Sequence, residues 1–423
     1  MLEPIPEPAR TDGYIPARKA DLAAAIAAEG ALPPAEAAAM GEVFRLLAAI
    51  LHFEAHEKLE QLKALYDPLD PDAPDNRRDT SAAAFEAFEQ ALTGALTRAN
   101  FEEIDADTVQ TRDATKLLTG LSIKASLAGI RRIRFFARGT RMETIEIKHW
   151  LGLRKRRVET PMMSDVVVLV GFKGETEIGA ADRRAFARLR RGVEPGAALV
   201  KHFRNVAAPE LVTLHPGAKP SMRPRDQVFL AAPALAGGVP VLLNLWPALT
   251  ILAAVIAAYF TAGQILDNEK LMRAVGALGG LVALGAFVMR QRMKFEATTL
   301  RYQKQLADTI YFRNLANNAG VLDLLVGAGE EQDVKEAFLA YWALRRADRP
   351  LVKAEIDNAA EQFLRERMGL NVNFEIQDAV AKLERMGLIV REGEAYRAHP
   401  PAEALVRLDA AWDALFNFSA RRQ

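Results

Sequence analysis

No charged side chain occurs between Asp226 and Asp267. As one helix those 40 uncharged residues would reach about 60 Å, twice the roughly 30 Å of a bilayer core. Gly237, Gly238 and Pro240 interrupt the run. Residues 227–237 then read as interfacial or packed, and 240–261 as a spanning helix of about 33 Å. Trp246 and Tyr259 lie toward its ends, where interfacial aromatics sit, and Pro247 is placed to kink it. After an acidic linker with Asp267 and Glu269, residues 274–289 are again uncharged. They reach only about 24 Å, which Leu271, Met272 and snorkelling by Arg273 and Arg290 extend to a second span, 271–290. A buried hairpin in a water-soluble core is the plainer alternative. Two such segments side by side favour the membrane.

Loop charge orients this hairpin. Lys219, Arg223 and Arg225 precede the first span, and Arg290, Arg292, Lys294, Arg301 and Lys304 follow the second. The positive-inside rule places both flanking parts, and so both termini, in the cytoplasm. Small residues recur at four-residue spacing, as Ala253/Ala257, Ala254/Ala258 and Gly276/Gly280. They let helix backbones approach closely, within the hairpin or between copies in a homo-oligomer. Asn244 is the one strongly polar side chain in the spans, which argues against ion transport by a single hairpin.

Outside the hairpin the charges segregate. Residues 1–120 carry 11 basic and 22 acidic side chains, and residues 121–226 carry 22 basic and 10 acidic. Such asymmetry points to a surface partner for the basic part, or to contact between the two parts. The expected organisation is an acidic helical region (1–120), a basic α+β region (121–226), the transmembrane hairpin (227–295), a basic juxtamembrane helix and turn (296–330) and a C-terminal module (331–423).

Residues 20–66 read as two helices separated by Leu32-Pro33-Pro34, and 80–99 as a third, with Phe85, Phe88, Leu92 and Leu96 at helical spacing. From 130 the period changes to two: 130–139, 141–148 and 165–173 read as strands, with turns at Gly139-Thr140 and Gly152. The block 124–157 holds 11 basic and two acidic residues, including Arg154, Lys155, Arg156 and Arg157. With Arg290, Arg292 and Lys294 it suits anionic lipid headgroups or an acidic partner. Phe135, Phe136 and Trp150 interleave the charges as in single-stranded nucleic-acid binders, although strand alternation sends half of such residues inward. A second basic run, Arg183, Arg184, Arg188, Arg190 and Arg191, reads as helical.

Beyond Gly320 the pattern is helix (331–346), helix (353–368), helix (375–387) and a hairpin of 388–391 with 395–398, the winged-helix order. The segment 331–423 totals 14 basic and 16 acidic residues, whereas phosphate contact needs clustered positive charge. A protein-interaction module is favoured, and nucleic acid is an improbable partner.

Little in the chain suggests chemistry. Without cysteine there is no disulfide, thiolate metal site or cysteine nucleophile. No Walker A loop, nucleophile elbow or dinucleotide glycine fingerprint occurs, and no cofactor is implied. His52 and His56 share one helix face at a spacing that suits a metal, but Phe53 stands where a zincin needs Glu. Asn314, Asn317 and Asn318 before Gly320 read as a helix C-terminus and turn, or as a polar site beside the membrane.

Several stretches, taken in order, resemble a known family. They are Tyr14-Ile15-Pro16-Ala17-Arg18-Lys19-Ala20-Asp21-Leu22, Trp150-Leu151-Gly152-Leu153-Arg154-Lys155-Arg156-Arg157 and His202-Phe203-Arg204-Asn205-Val206. Leu214-His215-Pro216-Gly217-Ala218-Lys219, Tyr311-Phe312-Arg313-Asn314-Leu315-Ala316-Asn317-Asn318 and Glu336-Ala337-Phe338-Leu339-Ala340-Tyr341 complete the set. Together they resemble the transmembrane protein 143 family, a domain of unknown function (number 3754). The resemblance implies a two-span membrane protein, mitochondrial in animals, with no agreed activity and no catalytic residues. The Ala/Arg-rich composition and the acidic Glu3, Glu7 and Asp12, unlike a transit peptide, point to a bacterial member in the inner membrane.

The expected fold is thus α+β, mainly helical, as an integral multi-pass membrane protein with a two-helix hairpin and a winged-helix-like module. The leading functional expectation is a membrane-anchored scaffold or regulator with lipid and protein partners. The alternatives are an oligomeric channel or carrier subunit and a membrane-bound enzyme.

Overall fold

The computed structural model describes residues 13–30, 32–74, 78–104, 122–125, 129–149, 154–180, 193–216, 218–221 and 268–415, with positions 183, 186, 187, 250, 253, 256 and 257. They fall into two compact units. The larger draws on the described residues within Met1–Val109, Leu127–Leu211 and Arg313–Gln423; the smaller draws on those within Gln110–Ser126 and Val212–Phe312.

The larger unit begins with α1 (Lys19–Glu29), closed by Gly30 in the left-handed region, and α2 (Pro34–Tyr66), which starts on Pro34 in its first turn. Proline there lacks only an amide that a helix start leaves unpaired, so Pro33-Pro34 separates two helices rather than kinking one. Helix α3 (Ala82–Arg98) is capped by the Ser81 hydroxyl, which accepts from the Ala84 amide at 3.1 Å. A five-stranded antiparallel sheet comes next, in the order β1 (Glu102–Ile104), β3 (Ile130–His149), β4 (Arg154–Phe172), β5 (Ala198–Ala207) and β7 (Asn314–Asn317). Strands β3 and β4 pair from Ile130↔Phe172 out to His149↔Arg154. Strand β5 joins β4 only from Met162 onward, and β1 covers only Phe135 to Ala137 of β3. The outer half of the β3–β4 pair is therefore a two-stranded ribbon among the described residues. Gly139, expected at a turn, lies within β3 at positive φ; a Cβ there would meet Ser164 Oγ at 2.6 Å.

The C-terminal part holds α5 (Ala319–Ala347), β8 (Leu351–Val352), α6 (Lys353–Met368), α7 (Ile376–Arg385), β9 (Ile389–Glu392), β10 (Ala395–Ala398) and α8 (Pro401–Leu415). The short sheet is ordered β8-β10-β9 and antiparallel. The elements of this part run helix, strand, helix, helix, hairpin and helix.

One hydrophobic cluster joins α1, α2 and α5–α8 through Leu22, Leu47, Phe338, Trp342, Phe363, Leu383 and Leu408. A second joins α2, α3 and the start of α5 to the sheet through Tyr66, Phe88, Leu322, Phe136 and Val167. Helix α5 serves both and is buried at every position from Gln332 to Leu344. Trp342 packs on Phe363 with ring centroids 4.5 Å apart, and Phe338 packs on Phe44 at 4.6 Å.

The smaller unit contains β2 (Ser122–Ala125) paired antiparallel with β6 (Ala218–Ser221), and α4 (Asn268–Arg313) up to Phe312. Here the structure corrects the transmembrane expectation. Among the described residues no helix is long and apolar enough to cross a membrane. The second expected span, 271–290, is an inner part of the 46-residue α4. Its uncharged core reaches about 24 Å against the 30 Å required, and the helix continues directly into the charged residues from Arg290. The first expected span, 240–261, lies outside the described residues except at 250, 253, 256 and 257. The integral membrane fold with its transmembrane hairpin, the multi-pass inner-membrane placement and the orientation with cytoplasmic termini are therefore not supported. What stands is an α+β architecture with antiparallel sheets.

Replacing Trp342 by Ala should cost about 3–5 kcal/mol, as truncation of a large buried aromatic does. Urea unfolding followed by circular dichroism checks it, read as a lowered midpoint.

Candidate functional site

A helix buried on every side must pair its polar side chains, because unpaired polar groups are costly away from water. Helix α5 carries Glu330, Gln332, Asp333, Lys335 and Glu336, all buried. The segment Tyr14–Lys19 meets one flank of this ridge. The Ile15 amide donates to Gln332 Oε1 and the Gln332 side-chain amide donates to the Ile15 carbonyl, each at 3.2 Å. Lys335 Nζ donates to the Ile15 carbonyl at 2.7 Å and the Ala17 carbonyl at 3.0 Å. The Lys19 amide donates to Glu331 at 3.0 Å and its ammonium to Glu330 at 2.8 Å. Burial pushes the Lys335 ammonium down to about 8.

On the opposite flank, carboxylate oxygens of Asp333, Glu336 and Asp378 lie within 4.8 Å of one another. Three carboxylates so close would suit a divalent cation. The protein supplies its own cation instead, since Lys382 Nζ donates to both Asp333 and Asp378. Burial opposes the charge on Lys382, but Asp333 and Glu336 more than offset this and raise its pKa. Burial raises Asp333, and it pushes Glu336 up to about 8. Asn100 Nδ2 donates to Glu336 at 3.3 Å.

A second polar cluster lies on the sheet. Burial would raise Asp165, but the His202 hydrogen bond at 3.0 Å and the Arg138 guanidinium at 2.9 Å hold it down at about 2. Arg138 is stacked between the Tyr14 and Phe101 rings, 4.3 and 4.6 Å from their centroids, and donates to the Ala99 carbonyl. This cluster joins the segment before α1 to the end of α3 and the sheet.

Between α2, α3 and α5 lies a small open cleft of about 20 Å³, lined by Leu51, Glu54, Ala55, Lys58, Ala95, Arg98, Val326, Gly329, Glu330 and Asp333. Glu330 and Asp333 of the buried ridge are part of its lining.

The residues singled out from the sequence do not converge. His52 is turned to α5, with Nδ1 2.7 Å from Glu330 Oε2, while His56 is exposed. Neither joins the carboxylate cluster. Asn314 directly follows Arg313, the last residue of α4, and Asn314 and Asn317 then belong to β7, paired with β5 at the sheet edge. Asn318 sits at the N-cap of α5 with φ +51°, and its amide donates to the Val200 carbonyl at 2.7 Å. Gly276 is exposed on α4, where a Cβ would meet nothing within 4 Å, and Gly280 lies on the same helix. Arg290, Arg292 and Lys294 are exposed on α4, with Arg292 paired to Glu296 at 3.0 Å. Arg154 to Arg157 begin β4 at the end of the ribbon; of these, only the Arg157 side chain is among those described, and it is exposed. Trp150 and most of the 183–191 run lie outside the described residues.

Sequence reasoning missed the polar ridge of α5. The sequence signal was there in Ala337-Phe338-Leu339-Ala340-Tyr341-Trp342-Ala343-Leu344, apolar on all sides, which marks a helix buried all round.

Residues 164–320, running from β4 to the start of α5, match the model of a family described as Protein of unknown function (DUF3754). The match covers less than half of the chain. No solved structure matches it.

Glu336→Gln supplies a permanently neutral isostere. A carboxyl raised from 4.5 to about 8 stabilises the fold fully below pH 4.5 and loses that contribution as pH rises through 8. The variant should therefore lose part of the wild-type decline in stability between pH 5 and 9 and melt higher at pH 9. Thermal unfolding across that range tests it; parallel curves would show that Glu336 titrates normally.

Proposed function

We propose that this protein is a non-catalytic scaffold or regulator that docks an acidic protein surface through the β3–β4 ribbon. The observation that carries this reading is how the basic block divides. Its inner arginines are engaged within the molecule. Arg132 and Arg134 reach buried Glu89 at 2.8 and 3.4 Å, Arg134 also holds Glu103 at 2.6 Å, and Arg138 holds Asp165. The charge asymmetry between 1–120 and 121–226 is thus partly satisfied internally.

At the ribbon end the basic charge is only partly met within the ribbon, by Arg157 reaching Glu146 at 3.4 Å. Lys148 lies opposite Lys155 in register, and Arg154 opposite His149. Like charges directly opposite destabilise a strand pair, and an acidic partner relieves this. Between 141 and 159 six basic residues are mixed with Glu143, Glu146 and Glu159. Such a mixture suits a patterned protein surface better than a uniformly anionic one.

The C-terminal part supports the same class of function. Its third helix, α7, does not offer a basic face: Arg385 is bound in two-fold fashion by Glu54 at 2.6 and 2.9 Å, and Lys382 is enclosed by Asp333 and Asp378. Readout of nucleic acid needs such cations free. We also infer kinship with bacterial relatives of the transmembrane protein 143 group. The ordered stretches His202–Val206, Leu214–Lys219 and Tyr311–Asn318 within the family match support it; that group's two spans are not carried over.

The test is site-specific photocrosslinking from Met142, which is 59 % exposed on the ribbon, in the native cell. The expected product is one recurrent protein crosslink that is lost when Arg154, Lys155, Arg156 and Arg157 are all changed to Glu. Crosslinks only to lipid or nucleic acid, or a protein crosslink indifferent to the charge reversal, would sink the reading.

A further inference from the structure

Helix α4 carries an apolar seam that the described residues leave uncovered. Met272, Val275, Gly279, Val282, Ala286 and Met289 are all exposed, the four larger ones by 57–73 %. Their spacing alternates three and four without a break, and Met293 extends it to three full heptads, about 32 Å of helix. An apolar stripe of this length on a surface marks an interaction site. Its period of 3.5 matches a second helix wound around the first, which is the one arrangement that keeps such a seam on the contact side throughout. Gly279 adds to this. Glycine weakens a helix interior, yet a Cβ at this position would meet nothing within 4 Å. The space it leaves free lies on the seam, where a partner would approach.

We propose that α4 pairs with the α4 of a second copy of this chain, antiparallel, as a two-helix coiled coil. Pairing about the midpoint between Gly280 and Leu281 sets Met272 against Met289, Val275 against Ala286 and Val282 against Gly279 of the other copy. Each small residue then faces a larger one, and the methionines close both ends. A parallel pair would set Gly279 on Gly279 and Ala286 on Ala286, which leaves voids that close packing does not tolerate. Charge agrees with size. Glu269 and Arg290 are exposed at opposite ends of the seam, and the antiparallel register brings each beside the other across the pair. A parallel pair would collect Glu269 with Glu269 at one end and the arginines at the other. The apolar run stops at position 296, where Glu296 is tied to Arg292 of its own helix at 3.0 Å. A two-fold pair uses the same surface on both chains and closes on itself, so a dimer is the end product. This contact is on a different element from the ribbon and does not depend on the docking reading above.

The chain contains no cysteine, so introduced thiols report the contact without background. Sedimentation of the full chain should show a dimer, and Val282→Glu should weaken association at least tenfold. A Met272→Cys chain mixed with a Met289→Cys chain and oxidised should give a cross-linked dimer. Met272→Cys alone should give none, because its two copies would lie at opposite ends of the pair. Glu269→Arg and Arg290→Glu should each weaken the dimer and, combined in one chain, restore it. A monomer at every concentration, a dimer indifferent to Val282→Glu, or self-linking of Met272→Cys overturns the proposal. A monomer that instead binds vesicles of neutral phospholipid also overturns it and assigns the seam to lipid.

Discussion

Everything in the larger unit is arranged around the burial of α5. A helix enclosed from Gln332 to Leu344 gains apolar contact on all faces, but it also removes its own charged side chains from water. The molecule meets that demand with specific partners: backbone carbonyls of Ile15 and Ala17 for Lys335, an amide pair for Gln332, Lys19 for Glu330 and Lys382 for Asp333. These partners come from two parts of the chain, the Ile15–Lys19 stretch and α7. The polar ridge thus fixes which elements surround the helix, while the apolar residues beyond it supply most of the contact area.

The same ridge explains the Tyr14–Lys19 stretch that the sequence made conspicuous. Its backbone is read atom by atom by α5, its Tyr14 ring lies on Arg138, and Ile15 is wholly buried. Gly13 completes the fit, since a Cβ there would stand 2.7 Å from Asn100 Nδ2. These are reasons of packing, and they remove this stretch from the search for chemistry. What is left for binding is what the interior does not use, above all the end of the ribbon.

Much of the secondary structure could be read from the chain because its signals are local. Pro33-Pro34 separates α1 from α2, Ser81 starts α3, and Gly393 turns the β9–β10 hairpin at φ +68°. Other features depend on distant partners and were not legible. Strand β3 runs through Gly139 because β4 pairs with it on both sides. Asn314–Asn317 reads as a helix end and does follow the last residue of α4, but the strand it then forms depends on the distant edge of β5. The uncharged runs raised a membrane expectation because the hydropathy of a segment is silent on where its helix ends; α4 carries its second run on into charged sequence without a break. Of the candidate sites, the basic tetrad could be seen at once, whereas Asp333 and Lys382, 49 residues apart in sequence, become neighbours only through helix packing.

The contact between Ile15 and Lys335 spans 320 positions of the chain. During synthesis α1 and α2 emerge long before their central helix exists. At about 5–20 residues per second, the roughly 250 residues between the end of α2 and the start of α5 take on the order of 13–50 s to make. Through that interval Leu22, Val43, Leu47 and Ile50, all later enclosed by α5, have no native cover from it. The apolar faces of the N-terminal helices that α5 later covers therefore wait, during synthesis, for a helix made long after them.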